Sequence, residues 1–302
     1  MNVIVKEVHV RKVLNRHRRR DEWFLDDYSL NPYYLCGFNC MYCYIRGGRY
    51  GRKEVRELSV KVNAPRVLDK ELSKLARAGE YGFIALSSAT EPWQQVEEKY
   101  KVTRRCLEVI SRYRFPVHCL TKSTLILRDV DVLRKISEDV VLPEDLKDVS
   151  GVLVTFSFST LRENVARIFE PGASTPRERL KAAEKVLNEG LTCGLAFIPV
   201  LPFISDSELE EMAAVARDLG VDYVFFSPPT LQGECRESFL RVVKTHFPEL
   251  SAKYLKLYRG KWFPSKRYVV SFYCRVKELC EKYGLKFGVK PVNLEKLASS
   301  PR

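Results

Sequence analysis

No stretch of the chain strings together the roughly twenty apolar residues that a membrane-spanning helix needs, and the N-terminus lacks an apolar signal region followed by small residues. Both absences lead to the expectation of a cytoplasmic protein with no membrane partner. Glutamine is nearly missing, confined to Gln94, Gln95 and Gln232. Amide scarcity combined with a heavily charged surface is a pattern of hyperthermophile chains. Cysteines number nine, an odd count, so ligation, catalysis or plain burial explains them better than a complete disulfide framework. None of the four histidines has a ligand-like neighbour, no low-complexity linker divides the chain, and nothing repeats closely enough for a solenoid. The sequence carries no signal for an oligomeric state.

What is present in excess is positive charge. Fifty-one Lys and Arg face 38 Asp and Glu, leaving a formal charge of +13 over 302 residues. Such a balance favours polyanionic partners through counterion release, which makes nucleic acid the partner class to test. The plainer reading is a solvated, charge-rich surface.

Short apolar runs alternate with segments of helical period, the pattern of parallel βα units. Strands are expected near Tyr28–Leu35, Gly82–Ser87, Pro116–Leu120, Val152–Ser157, Cys193–Ile198 and Asp222–Phe226, with room for a short seventh at Leu285–Val289. Helix signals lie between them: Asn63 as a cap followed by Pro65, an apolar stripe through Val102, Cys106, Val109 and Ile110, and capping-box patterns at Thr175–Glu178 and Ser205–Glu208. Six repeats predict an α/β fold, a partial (β/α)6 TIM-type barrel with N-terminal and C-terminal extensions. The division expected is a basic arm over 1–27, the barrel over 28–231, and a basic, aromatic-rich extension over 232–302.

Directly after the first strand comes Cys36-Gly-Phe-Asn-Cys40-Met-Tyr-Cys43, where a parallel barrel carries its active-site loops. Thiolates are the usual ligands of iron-sulfur clusters, and three of them leave one iron of a cubane open to another ligand. Gly37 is expected to let the loop wind tightly. Zinc is the competing ligand, but its patterns pair two short spacings and no nearby fourth ligand is visible. Cys235, Cys274 and Cys280 form a second trio whose spacing is long and whose helical phase is wrong for a shared site.

At these residues the sequence resembles the radical S-adenosylmethionine (SAM) superfamily, whose signature is C-x-x-x-C-x-aromatic-C with Tyr42 in the aromatic place. The resemblance implies a 4Fe-4S cluster on Cys36, Cys40 and Cys43, SAM on the open iron, an external electron donor, and a 5′-deoxyadenosyl radical as product. Within the superfamily the closest likeness is to the spore photoproduct lyase-like group, over about Asn31 to Leu231. It is carried by Asn31-Pro-Tyr, by Ala89-Thr-Glu-Pro-Trp-Gln-Gln-Val-Glu97, by Ile168-Phe-Glu-Pro171 and by Phe197-Ile-Pro-Val-Leu-Pro202. By that likeness Lys122 pairs with the SAM carboxylate, Ser157 contacts SAM, Ile198 packs on the adenine, and Tyr42 and Tyr44 help return a hydrogen atom. Two of these have a plainer reading: an exposed lysine at a strand end for Lys122, and ordinary core for Ile198. Ser159 shares the strand face of Ser157. One departure stands out: Gly82–Ser88, on the second strand, lacks the cysteine hydrogen donor of that group.

Two functions are therefore weighed. One is a radical SAM enzyme acting on a nucleic acid or another large anionic molecule. The other is a nucleic-acid-binding protein with a structural or redox-sensing cluster and no turnover. The tail offers Lys253, Lys256, Lys261, Lys266 and Arg267 interleaved with Tyr254, Tyr258, Trp262, Phe263 and Tyr268, which suits phosphates and unpaired bases; the plainer reading is that the rings plug the open side of the barrel and the cations are solvated.

Overall fold

The computed structural model describes residues 4–45, 57–87, 89–294 and 297. Ser88 and the extreme ends of the expected arm and extension lie outside them. The described strands are β1 (Ile4–Val8), β2 (Leu14–Arg16), β3 (Asp26–Leu30), β4 (Tyr33–Tyr34), β5 (Glu57–Lys61), β6 (Phe83–Leu86), β7 (Val117–Thr121), β8 (Val152–Phe158), β9 (Thr192–Phe197) and β10 (Tyr223–Phe226). The helices are α1 (Ala64–Arg77), α2 (Val96–Tyr100), α3 (Val102–Arg112), α4 (Val130–Glu138), α5 (Glu163–Phe169), α6 (Pro176–Asn188), α7 (Leu209–Leu219), α8 (Gly233–His246), α9 (Ser251–Tyr258) and α10 (Lys266–Tyr283).

Seven strands form one sheet in the order β2-β3-β6-β7-β8-β9-β10. The pairs β3–β6, β6–β7 and β7–β8 are parallel, and β2 closes one edge antiparallel to β3. This mixed α/β sheet, with helices returning the chain between strands, is the partial barrel expected. The seventh barrel strand shrinks to a single parallel bridge between Val224 and Phe287. The chain turns away at Gly288, whose φ of +89° and approach to the Lys290 carbonyl leave no room for a Cβ.

The first expected strand, Tyr28–Leu35, is split. It stops at Leu30, Pro32 follows, and Tyr33–Tyr34 join a separate sheet ordered β1-β5-β4. That sheet left little trace in the sequence because β1 is almost wholly exposed and so shows no apolar alternation. Two expected caps also do other work. The Asn63 side chain is turned to Val10, accepting from its N–H and donating to its carbonyl at 2.9 Å each. Ser205 donates to the Ser159 carbonyl (2.6 Å) and accepts from the Leu201 N–H (2.8 Å).

The chain forms two compact units: residues 1–38, 54–156 and 178–194 in the first, and residues 39–53, 157–177 and 195–302 in the second. In the first unit, α1, α3 and α4 bury Leu68 and Leu72, Cys106 and Ile110, and Leu133 and Ile136, the helical spacing that marks one apolar stripe apiece. In the second, Phe239, Val243, Leu250, Tyr254 and Tyr258 from α8 to α9 build an apolar cluster that also takes in Val165, Phe169 and Leu201. The tail aromatics are thus mostly structural. Tyr254 and Tyr258 are buried, with hydroxyls donated to the Pro202 and Pro229 carbonyls, and Tyr268 donates to Asp206 at 2.9 Å. The expectation that these rings stack on bases is corrected accordingly, and Trp262 remains as the exposed one.

His118, inside β7, is fully buried. Its Nδ1–H donates to the Phe24 carbonyl (2.9 Å) and its Nε2 accepts from the Thr155 hydroxyl (2.6 Å), a neutral arrangement. Burial brings its pKa down to about 4. A depressed histidine pKa gives stability that is complete above the unfolded value and is lost as pH falls from about 6.5 through about 4. Asp26, raised by burial to about 6, acts in the opposite sense over part of this window. The difference between wild type and His118→Gln isolates the histidine. Urea unfolding across pH 4 to 6.5 should show the wild type losing about 3 kcal/mol more than the variant. Parallel profiles would place the proton elsewhere.

Candidate functional site

The cysteine segment follows β4 and passes from the first unit to the second between Phe38 and Asn39. None of the three is in a disulfide, and all are half-buried. The turns are made by Leu35 (φ +63°) and Asn39 (φ +54°), both in the left-handed region. Gly37 is not among the positive-φ residues, and a Cβ there would meet Gln95 and Gln94 at 3.4 and 3.5 Å, an ordinary contact. The loop's tight winding therefore belongs to Leu35 and Asn39 rather than to Gly37.

On the first-unit side the segment is held by Gln94, which is fully buried. Its Oε1 accepts from the Gly37 N–H at 2.8 Å. The Phe38 N–H points at Cys36 Sγ, 3.4 Å away, the kind of amide donor that tunes cluster sulfur. On the second-unit side the Met41 N–H donates to the Phe169 carbonyl at 2.8 Å, the Cys43 N–H donates to the Cys40 carbonyl at 3.2 Å, and the Tyr42 hydroxyl donates to the buried Glu170. Tyr44, by contrast, is exposed.

Among the described residues no three Cys, His, Asp or Glu side chains are gathered as a ready site for one metal ion. Each thiolate of a cubane meets a different iron, so cubane ligands need not converge on one point. Three reduced thiols with an amide donor at one of them are a donor set that fits such a cluster. Cys235 and Cys280 are buried in α8 and α10 and Cys274 is exposed, so this trio offers no comparable loop.

Lys122 directly follows β7, and its N–H donates to Glu91 at 2.9 Å. Glu91 also accepts from the Thr121 hydroxyl (2.6 Å) and the Trp93 N–H (3.1 Å). Burial raises the Glu91 pKa, and these three donors work against that rise. Three residues on, Gln94 reaches the cysteine segment, so one short run, Glu91–Gln94, fixes both the end of β7 and the start of the loop. In the second unit Ser157, near the end of β8, donates from its hydroxyl to the carbonyl of Ile198 at 3.1 Å. Both are half-buried, and Ile198 lies just past β9, so it is not plain core. Ser159 is fully buried and lies past the end of β8, which separates its environment from that of Ser157. Lys122, Ser157 and Ile198 thus sit at carboxyl ends of sheet strands, where parallel α/β folds place their chemistry.

A family model described as the radical SAM superfamily matches residues 30–216. The chain belongs to the radical SAM superfamily. Radical SAM membership makes it an enzyme of that class and implies an iron-sulfur cluster and SAM. An uncharacterized protein of Mycobacterium bovis is 28% identical over 273 residues, spanning 87% of this chain and 76% of its own. A solved spore photoproduct lyase variant with bound AdoMet and dinucleoside spore photoproduct superposes with a TM-score of 0.67 at 16% identity, covering 93% of this chain and 79% of that one. Streptococcus suis SuiB bound to the precursor peptide SuiA gives a TM-score of 0.53 at 12% identity, covering 88% and 48%. At these identities the two structural likenesses show a shared fold.

The strand order also reveals what sequence spacing hid. β6 carries no thiol, but its last residue, Leu86, is registered with Cys119 of β7. Cys119 is fully buried, and burial pushes its thiol pKa up. Glu91, Gln94 and Glu170 were missed as supports because their partners lie far away in sequence. Glu91→Ala should remove about 3 kcal/mol from the unfolding free energy, because the Thr121, Lys122 and Trp93 donors lose their acceptor in a dry site. Urea titration checks this, and a loss below about 1 kcal/mol would mean that water replaces the carboxylate.

Proposed function

We propose that this radical SAM enzyme reductively cleaves S-adenosylmethionine at a 4Fe-4S cluster held by Cys36, Cys40 and Cys43, and that its substrate is a nucleic acid or another large anionic molecule. The observation that carries the proposal is the cysteine segment itself: three reduced, half-buried thiols in one loop, backed by the Gln94 and Glu170 supports, within the matched family region. Cys36, Cys40 and Cys43 would hold the cluster, which would supply one-electron reduction of the SAM sulfonium from an external donor, with methionine and a 5′-deoxyadenosyl radical as the products. The chain's own residues bind and orient. Lys122, held by the Glu91 contact to its own N–H, offers an ammonium to the SAM carboxylate. Ser157 and Ile198 form one hydrogen-bonded edge against which the nucleoside rests. Tyr42, donating to Glu170, holds the loop, and the resemblance of the cysteine segment supports Tyr42 and the exposed Tyr44 as the pair that helps return a hydrogen atom. The net charge of +13 supports an anionic substrate.

Anaerobic reconstitution with iron, sulfide, SAM and a strong reductant should yield 5′-deoxyadenosine, and Cys36→Ala, Cys40→Ala and Cys43→Ala should each lose the cluster's visible absorption and the product. Retention of full iron in all three variants would sink the ligand assignment. A loaded cluster that leaves SAM intact would favour the binding protein without turnover. Lys122→Ala should keep its iron and bind SAM several-fold more weakly, in line with the loss of about 1.5 kcal/mol or more from a charge-assisted hydrogen bond. Equal affinity by calorimetry would remove Lys122 from the site.

A further inference from the structure

Positive charge on this chain is not spread evenly, and much of it is already spent. A depression of about 680 Å³ beside α2 and α3 is lined in part by Arg104 and Arg128. Both guanidiniums are taken up by carboxylates: Arg104 by Asp129 and Asp131, and Arg128 by Glu97 and Asp129. A second groove, of about 470 Å³, lies between the N-terminal segment and α1 and is different in kind. Arg66, Lys70 and Lys74 stand on one side of α1 at successive four-residue steps, about 6 Å apart along the helix axis. Arg11 and Lys12 line it from the N-terminal segment. All five are exposed, and among the described residues none is ion-paired.

The groove is also built. Asn63 clamps the backbone of Val10 with two hydrogen bonds, and Glu71 accepts from the Val13 and Leu14 N–H groups at 3.3 and 3.0 Å. Val13 and Leu14 are buried beneath. Glu71 is the one carboxylate in the lining, and it is turned to those amides. The neighbouring Asp69 is occupied by Arg112 at 2.6 Å. What faces the solvent is therefore a row of cations along one wall and a pair on the other.

A single phosphate is best held where donors converge on a point. A row with a regular step suits an anion that repeats, and each strand of a nucleic acid offers one phosphate per 3.4 Å of helix axis. We infer that this groove docks the phosphodiester backbone of a nucleic acid, at a site distinct from the cysteine segment. The inference rests on the nucleic-acid reading of the substrate. It makes the groove a positioning surface that carries affinity and no base readout.

The test is fluorescence anisotropy of the full-length protein with labelled single-stranded and duplex DNA and RNA oligonucleotides across a salt series. Arg66→Glu, Lys70→Glu and Lys74→Glu are combined in one variant. Arg177→Glu, Lys181→Glu and Lys185→Glu form a control on α6, with the same four-residue steps and the same change in charge. The groove variant should bind about tenfold or more weakly and lose about 2 to 3 from the slope of log affinity against log salt on duplex, whereas the control should change by about twofold or less. Circular dichroism verifies folding, and Arg11→Glu with Lys12→Glu, on the opposite wall, repeats the test without touching the helix. The preferred oligonucleotide identifies the backbone. Equal losses in groove and control variants, no loss in either, or equally tight binding of polyglutamate would overturn the site. Wild-type binding at low salt separates the two readings: no binding of any oligonucleotide fails the nucleic-acid reading and the groove with it, whereas tight wild-type binding that the groove changes leave untouched fails the groove alone.

Discussion

A carboxylate taken out of water must be given donors, and this chain uses that obligation to tie its loops together. Glu97 collects the Tyr33 hydroxyl, the Thr103 and Arg104 N–H groups and the Arg128 guanidinium. Glu91 collects Thr121, Lys122 and Trp93. Glu208 collects the Thr160 hydroxyl, the Leu161 N–H and Arg162, just past β8. Glu170 collects Tyr42. Glu91, Glu170 and Glu208 each lie beside a stretch that leaves the sheet or carries a cysteine, where regular backbone hydrogen bonding has stopped, while Glu97 ties the first turn of α3 to β4.

These knots explain why the segments that resembled the spore photoproduct lyase-like group read as they do. In Glu91-Pro-Trp-Gln94 the acid, the ring and the amide all face inward. Trp93 donates from its indole N–H to the buried Asp129 at 2.8 Å, while Glu91 and Gln94 reach a strand end and a loop. The segment is a bracket, and its polar residues are there because the bracket is dry.

Much of the sheet was legible in the sequence, because a strand buried on both faces must be a short apolar run bounded by turn residues. Phe83–Leu86, Val152–Phe158 and Tyr223–Phe226 are of that kind, and their bounds lie within a residue or two of those expected. The cysteine segment was legible because its chemistry is local. What spacing could not give were partners brought close only by folding: Gln94 beside Gly37, Cys119 beside Leu86, Asn63 across from Val10. The Ser205–Glu208 pattern misled for a related reason. Both side chains found stronger partners from elsewhere in the chain than the helix end they seemed to serve.

The apolar cluster of the second unit joins Tyr42 to Phe239, Tyr254 and Tyr258, with Cys40 and Met41 packed against it. The loop that carries two of the three thiols thus shares one apolar core with the C-terminal extension. The extension is in this sense a foundation for the cysteine loop: a truncation at Phe239 or Tyr254, far along the chain, would loosen the packing beneath Cys40 and Met41.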